Sequence, residues 1–130
     1  MTKWCALFFL ILSLPAWADE GLQPRIHFAS NSDLIQGAEE NFIAQNISWM
    51  KNNPRTVIIL EGHCDEWGDR WYNLELGDRR ARAVKAYLIE QGVSPDRVVM
   101  VVSYGSDRPL NTEHTNDAWR ENRRVEFVLR

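Results

Sequence analysis

Asp65, Asn73 and Arg80 bring an anionic acceptor, a neutral amide and a five-donor guanidinium within sixteen positions of one another. The residues just before them, 57–60, form an apolar, β-branched run, and those from residue 77 onward carry helical periodicity. A strand therefore runs out at Glu61-Gly62, a polar loop follows, and a helix is expected to begin near Gly77-Asp78. Acceptors and a guanidinium gathered at a strand-to-helix junction suit a small charged ligand.

Catalysis is the rival reading of the same stretch. His63, Cys64 and Asp65 invite a thiol hydrolase, and His63 with His114 invites a metal site. Consecutive strand residues point to opposite faces, so His63 and Cys64 are not aimed at one substrate. The metal reading lacks an evident fourth ligand and the customary spacings. The expectation is a binding site without catalytic residues, metal or cofactor.

The elements that must position these residues are legible along the chain. Residues 19–24 read as a loose polar lead-in, and Arg25-Ile26-His27-Phe28 alternates as a short strand. A small polar turn over residues 29–33 leads to a helix over residues 37–52, with Phe42, Ile43, Ile47 and Met50 on one face. Glu39 and Glu40 in its first turn and Lys51 in its last suit the helix dipole. The unalternating run at 57–60 marks a central strand, covered on at least one face. Ala81, Val84 and Leu88 share a face of the second helix, which closes at Gly92 with Val93 packing back. A third strand is expected over residues 97–103, then a long loop with one short helix around residues 117–120. The last strand, 124–130, alternates with Val125, Phe127 and Leu129 inward. The order β-α-β-α-β-β predicts an α/β fold, an α+β sandwich with a four-stranded mixed sheet and helices on one face.

Residues 1–18 read as a secretory signal peptide: a basic start, an apolar run and an Ala16-Trp17-Ala18 cleavage site before Asp19. That run is too short to span a bilayer, and no later stretch approaches it, so no transmembrane segment is expected. After the lead-in, residues 25–130 form one domain. The chain's net charge of −3 is spread without a basic stripe, which argues against nucleic acid. Of the two cysteines only Cys64 would survive cleavage, so no internal disulfide is expected, and Cys64 reads as a small residue at a strand end. Cys5 does not sit where a lipidation cysteine belongs, after the apolar run.

Several short motifs now combine: Gly62-His63-Cys64-Asp65-Glu66-x-Gly68, Tyr72-Asn73, Leu76-Gly77-x-Arg79-Arg80-Ala81, Ser103-Tyr104-Gly105, Pro109 and Asn122-Arg123-Arg124-Val125. In this order and spacing they closely resemble the OmpA-like peptidoglycan-binding domain family, and within it the peptidoglycan-associated lipoproteins, over residues 26–130. The resemblance implies a non-catalytic domain that holds the stem peptide of the cell wall through meso-diaminopimelate, with Asp65 and Arg80 as principal ligand residues. Asn73, Asn122, Arg123 and Arg124 are implied to lie near the same site, as are Tyr72, His63 and Leu76 within the matching motifs. The periplasm, at the wall and the outer membrane, is the implied location, with outer-membrane or Tol-system proteins as further partners. Docking of envelope proteins without wall contact is the alternative function. Two departures stand out: Ala29-Ser30-Asn31 replaces an acidic and aromatic rim, and the lipidation cysteine is missing.

The chemistry of the clamp is coherent in itself. Diaminopimelate ends in a carbon bearing both an ammonium and a carboxylate, so Asp65 can take the first and Arg80 can grip the second as a fork. Arg80 is expected in the first helical turn, leaning back toward the loop beside free helix N–H groups. Substitution of either residue is expected to leave the fold intact. Trp67, Trp71 and Trp119 lie in or beside the site, where their faces suit stacking on glycan rings or covering the core edge.

Overall fold

The computed structural model describes residues 21–130; the signal peptide expected over residues 1–18 lies outside the described residues. The elements are β1 (Arg25–His27), α1 (Gly37–Asn52), β2 (Ile58–His63), α2 (Arg70–Glu90), β3 (Val98–Gly105), α3 (Asn116–Asn122) and β4 (Arg124–Leu129). They form the expected four-stranded mixed sheet, in the order β1-β4-β2-β3. The β2–β3 pair is parallel, while β4 runs antiparallel to both β1 and β2. β2 is therefore interior, as its apolar run predicted.

One face of that sheet carries the core. Ile26, Ile58, Leu60, Val125 and Phe127 bury against Ile43, Ile47 and Met50 of α1 and Ala81, Val84 and Leu88 of α2. Alternation does appear in β2: Ile58 and Leu60 are buried while Ile59 and Glu61 are only half so, and the helices cover a single face. On α1, Phe42 is exposed rather than inward, and Asn46 and Trp49 take the buried positions instead. The Asn46 amide accepts from the Gln23 N–H at 2.6 Å and donates to the Gln23 carbonyl at 2.9 Å. Those bonds, with Leu22 packed on the core, tie down Gly21 to Pro24, so this part of the lead-in is not loose. Val93 closes α2 as expected, its N–H donating to the Leu88 carbonyl at 2.9 Å after Gly92 at φ 97°.

The start of α2 differs from expectation, and the difference repositions the site. The helix begins at Arg70, not near Gly77, because Asp69 caps it by accepting from the Tyr72 N–H at 2.9 Å. Gly77 does not break the helix; it lets it approach the sheet. A methyl group at Gly62 of β2 would overlap the Gly77 carbonyl, and one at Gly77 would overlap the Ser103 hydroxyl of β3. Two glycines facing each other thus let helix backbone lie directly on strand backbone. Arg80 consequently stands in the third turn of α2 and not in the first.

Candidate functional site

Where β2 ends and α2 begins, a cavity of about 200 Å³ opens, lined in part by Asp65, Trp67, Tyr72, Asn73, Leu76 and Arg80. Ser30 and Asn31, from the turn after β1, complete its wall. The sequence marked that turn only as polar and as a changed rim. Its role follows from packing, since β1 lies two strands away from β2 in the sheet.

Asp65 is only 7% exposed, and its two oxygens are divided. One accepts from the Trp67 N–H at 3.1 Å, and the other pairs with the Arg123 guanidinium at 3.3 Å. Arg123 is anchored in turn by donating to the Phe28 carbonyl at 2.9 Å. Asn73 lies in the first turn of α2 and donates to the Trp67 carbonyl at 2.9 Å. Both ends of the Trp67 peptide are therefore held by residues of the cavity wall.

Arg80 is fully buried, and its fork is not open. It donates to the carbonyls of Ser32 at 2.8 Å, His63 at 3.0 Å and Ala29 at 3.0 Å, and approaches the Cys64 sulfur at 3.5 Å. The Phe28 ring lies 5.4 Å from its guanidinium carbon. Among the described residues it forms no ion pair, so its partners are neutral and its charge stays uncompensated. Burial works against that charge and lowers the pKa, while Cys64 and Asp65 act the other way. The expected two-pronged grip is corrected by this geometry: carbonyls take most of the donors, leaving roughly one η N–H for a ligand. The expected helix N–H groups beside Arg80 are two turns away.

The remaining candidates separate. Tyr72 and Leu76 line the cavity beside Asn73. Asn122 does not; its side chain accepts from the N–H groups of Leu110 and Asn111 and donates to the Asn111 carbonyl, bracing the long loop. It borders a second cavity of about 180 Å³ with Glu66, Ser106, Asn111, Glu113 and Trp119. Arg124 is buried and tied to Glu126 at 2.7 Å and to the Arg108 carbonyl at 3.2 Å. It joins the uncovered face of the sheet and not the cavity.

His63 likewise contributes its carbonyl to the site and turns its ring away, packing 5.5 Å from the Tyr104 ring. Both ring nitrogens are buried without a hydrogen-bond partner. Burial, then the Arg124 charge, lowers its pKa to about 4. Its ring lies close enough to the Glu61 and Glu126 carboxylates to suggest a metal ligand set. Arg25 and Arg124 already occupy Glu126, however, and Arg108 adds a third positive charge toward His63. That field opposes a bound cation.

The tryptophans also separate. Trp67 and Trp71 are 61% and 75% exposed, so neither covers the core. Trp67 packs against Trp119, with centroids 5.3 Å apart and planes at 72°, while Trp71 lies under Arg70. The Trp119 indole N–H donates to Glu66 at 2.8 Å, and His114 Nδ1 meets the same carboxylate at 2.7 Å. The pair of bonds holds the Glu66 pKa below its ordinary value, His114 contributing most. Nothing in the sequence spacing signals this link, because Glu66 and His114 come together only through the tertiary fold.

The OmpA family matches residues 27–123 of the chain. The peptidoglycan-associated lipoprotein of Pseudomonas aeruginosa is 55% identical over 70 residues, covering 54% of this chain and 41% of the relative. That of Brucella melitensis is 38% identical over 105 residues, covering 81% of this chain and 62% of the relative. The chain thus spans about half the length of these curated relatives. The crystal structure of the peptidoglycan-associated lipoprotein from Burkholderia pseudomallei superposes with a TM-score of 0.77 at 31% identity, covering 83% of this chain and 91% of that one. The C-terminal domain of Helicobacter pylori MotB superposes with a TM-score of 0.75 at 27% identity, covering 85% of each chain.

Proposed function

The chain belongs to the OmpA family, whose domains bind rather than catalyse, and on that premise we propose that it holds cell-wall peptidoglycan in the cavity between Asp65 and Arg80. One observation carries the reading. A fully buried arginine with neutral partners alone lines the same small cavity as a carboxylate, and the two are not paired with each other. Such a cavity presents separated charges of both signs, which a zwitterionic end group satisfies together. The names of the relatives, peptidoglycan-associated lipoproteins, support the choice of ligand.

The ligand group is the diaminopimelate terminus of the stem peptide. Its ammonium sits at Asp65, sharing that carboxylate with Arg123, and its carboxylate takes the free η N–H and the charge of Arg80. Asn73, Tyr72 and Leu76 wall the aliphatic stem, and Arg123 sets the orientation of Asp65. The protein acts in the periplasm, joining the wall to the outer-membrane side of the envelope. None of the helices among the described residues is long and apolar enough to cross a membrane.

The test is calorimetric titration with two stem tripeptides, one ending in meso-diaminopimelate and one in lysine, alongside a pulldown with purified sacculi. Lysine keeps the ammonium but removes the partner carboxylate. Its affinity is expected to be about ten- to a hundredfold weaker, the worth of one charge-assisted hydrogen bond. Equal affinity for the two peptides would remove Arg80 from the ligand contact. Failure to sediment with sacculi would sink the function itself.

A further inference from the structure

We infer that Trp67, propped by Trp119, is a stacking platform for an N-acetylated sugar ring of the glycan strand, adjoining the cavity proposed for the stem peptide. The inference rests on that peptide reading and adds a second ligand class to it.

Three observations converge on Trp67. Its side chain is 61% exposed, yet it lines the cavity together with Asp65 and Arg80. Its peptide is fixed at both ends, the N–H donating to Asp65 and the carbonyl accepting from Asn73. Its ring is braced by a T-shaped contact with Trp119, whose indole N–H is held by Glu66, itself bonded to His114. An aromatic ring kept exposed and at the same time immobilised forgoes the gain of burial and has little rotamer freedom left to lose on contact. Trp71 provides the contrast. It is more exposed, lies under Arg70, and neither lines the cavity nor touches Trp119.

The surroundings select a sugar as the occupant. A pyranose offers weakly polarised C–H groups on one face, which suit an indole face, and hydroxyl and acetamido groups around its edge. The second cavity, which Trp119 also lines, offers hydrogen-bonding partners for that edge from Ser106 and Thr112. The two cavities share Cys64 in their walls, so they adjoin. A stem peptide in the first cavity leads along its own chain to the sugar that carries it, and Trp67 stands at the border.

The experiment titrates the full chain and its Trp67→Ala, Trp67→Phe and Trp71→Ala variants with two probes. One is the free diaminopimelate tripeptide; the other is the same tripeptide attached to the N-acetylglucosamine–N-acetylmuramic acid disaccharide. The parent is expected to bind the sugar-bearing probe about two- to tenfold more tightly, the worth of one aromatic stack. Trp67→Ala should abolish that advantage, weakening the sugar-bearing probe more than the free peptide, while Trp67→Phe retains it and Trp71→Ala changes neither. Equal affinity of the parent for both probes overturns this inference alone. So does a Trp67→Ala loss that is the same for both probes, which would make Trp67 a wall of the peptide cavity. A parent that binds neither probe overturns the peptide reading and this one with it.

Discussion

The Asp65 carboxylate takes its ion pair from Arg123, at 3.3 Å, and not from Arg80, although all three groups surround the end of β2. Arg123 is not deeply buried and is bonded to the Phe28 carbonyl, so it can steady Asp65 while leaving it accessible to a ligand cation. Arg80 is left as a buried cation among carbonyls. Two guanidinium groups that look equivalent on paper thus have different work, one orienting the acceptor and the other holding the loop after β1.

That division separates binding from stability at Asp65. Asp65→Asn keeps an oxygen for the Trp67 N–H but breaks a largely buried ion pair, so the fold should lose about 1–3 kcal/mol and still form. Sacculus binding should nevertheless fall about tenfold or more, because the ligand ammonium loses its counter-charge. A sedimentation assay paired with a urea melt measures both. Parent-like binding by a folded Asp65→Asn chain refutes Asp65 as a ligand residue.

Arg80→Ala should behave in the opposite way, unfolding rather than merely failing to bind. It removes a buried donor from each of the carbonyls of Ala29, Ser32 and His63 and empties a buried site, so a loss of about 3–5 kcal/mol is expected. This differs from the expectation from sequence that the fold tolerates the change, because Arg80 lies fully buried on backbone carbonyls and not in a first helical turn. Urea denaturation of Arg80→Ala and Arg80→Lys decides it, with lysine restoring the charge but not the three bonds. An Arg80→Ala chain as stable as the parent would show that these bonds contribute little.

Gly62→Ala is expected to cost about 3 kcal/mol or more, since its methyl group meets the Gly77 backbone, which cannot swing aside. Gly77→Ala should cost less, because its overlap is mainly with the Ser103 side chain, which can rotate. Denaturant midpoints for the two variants give the order directly. The reverse order would mean that α2 is free to lift from the sheet.

His63 makes stability depend on pH in a defined window. Its folded pKa is about 4 against an ordinary 6.5, so between these values the unfolded chain binds more protons. The stabilisation from keeping His63 neutral is complete above pH 6.5 and is lost as pH falls toward 4, amounting to about 3 kcal/mol at most. His63→Phe should flatten this part of the stability–pH curve. An unchanged slope between pH 6.5 and 4 in that variant would assign the effect to other groups.

Cys64 should be dispensable. Its thiol is buried, donates to the Asn73 carbonyl at 3.2 Å, and has its pKa pushed up chiefly by burial, with Arg80 opposing. Cys64→Ala should cost about 1 kcal/mol and leave sacculus binding intact, and a thiol reagent should label the native chain only as fast as it opens. Rapid labelling of the folded protein would contradict the burial.

Local order along the chain determines much of this protein by itself. The extended run at residues 57–60, the inward set of Val125, Phe127 and Leu129, and the cap at Gly92 each rest on short-range periodicity or on one backbone conformation, and each appears in the fold. Motif spacing points in the same way to Asp65, Asn73 and Arg80, and all three line one cavity. What sequence could not reveal were choices made between distant segments. The start of α2 turned on whether Asp69 caps and whether Gly77 breaks, and packing of Gly77 against Gly62 decided that the helix runs through. Which guanidinium meets Asp65 was likewise open, because both Arg80 and Arg123 are long, charged and close in space. The fold resolved it by burying Arg80 under the turn that follows β1, where it donates to the Ala29 and Ser32 carbonyls, and by bringing in Arg123 from 58 residues away. Three buried carbonyls outweigh one carboxylate as partners for the Arg80 donors, and that choice appears only once the chain has closed on itself.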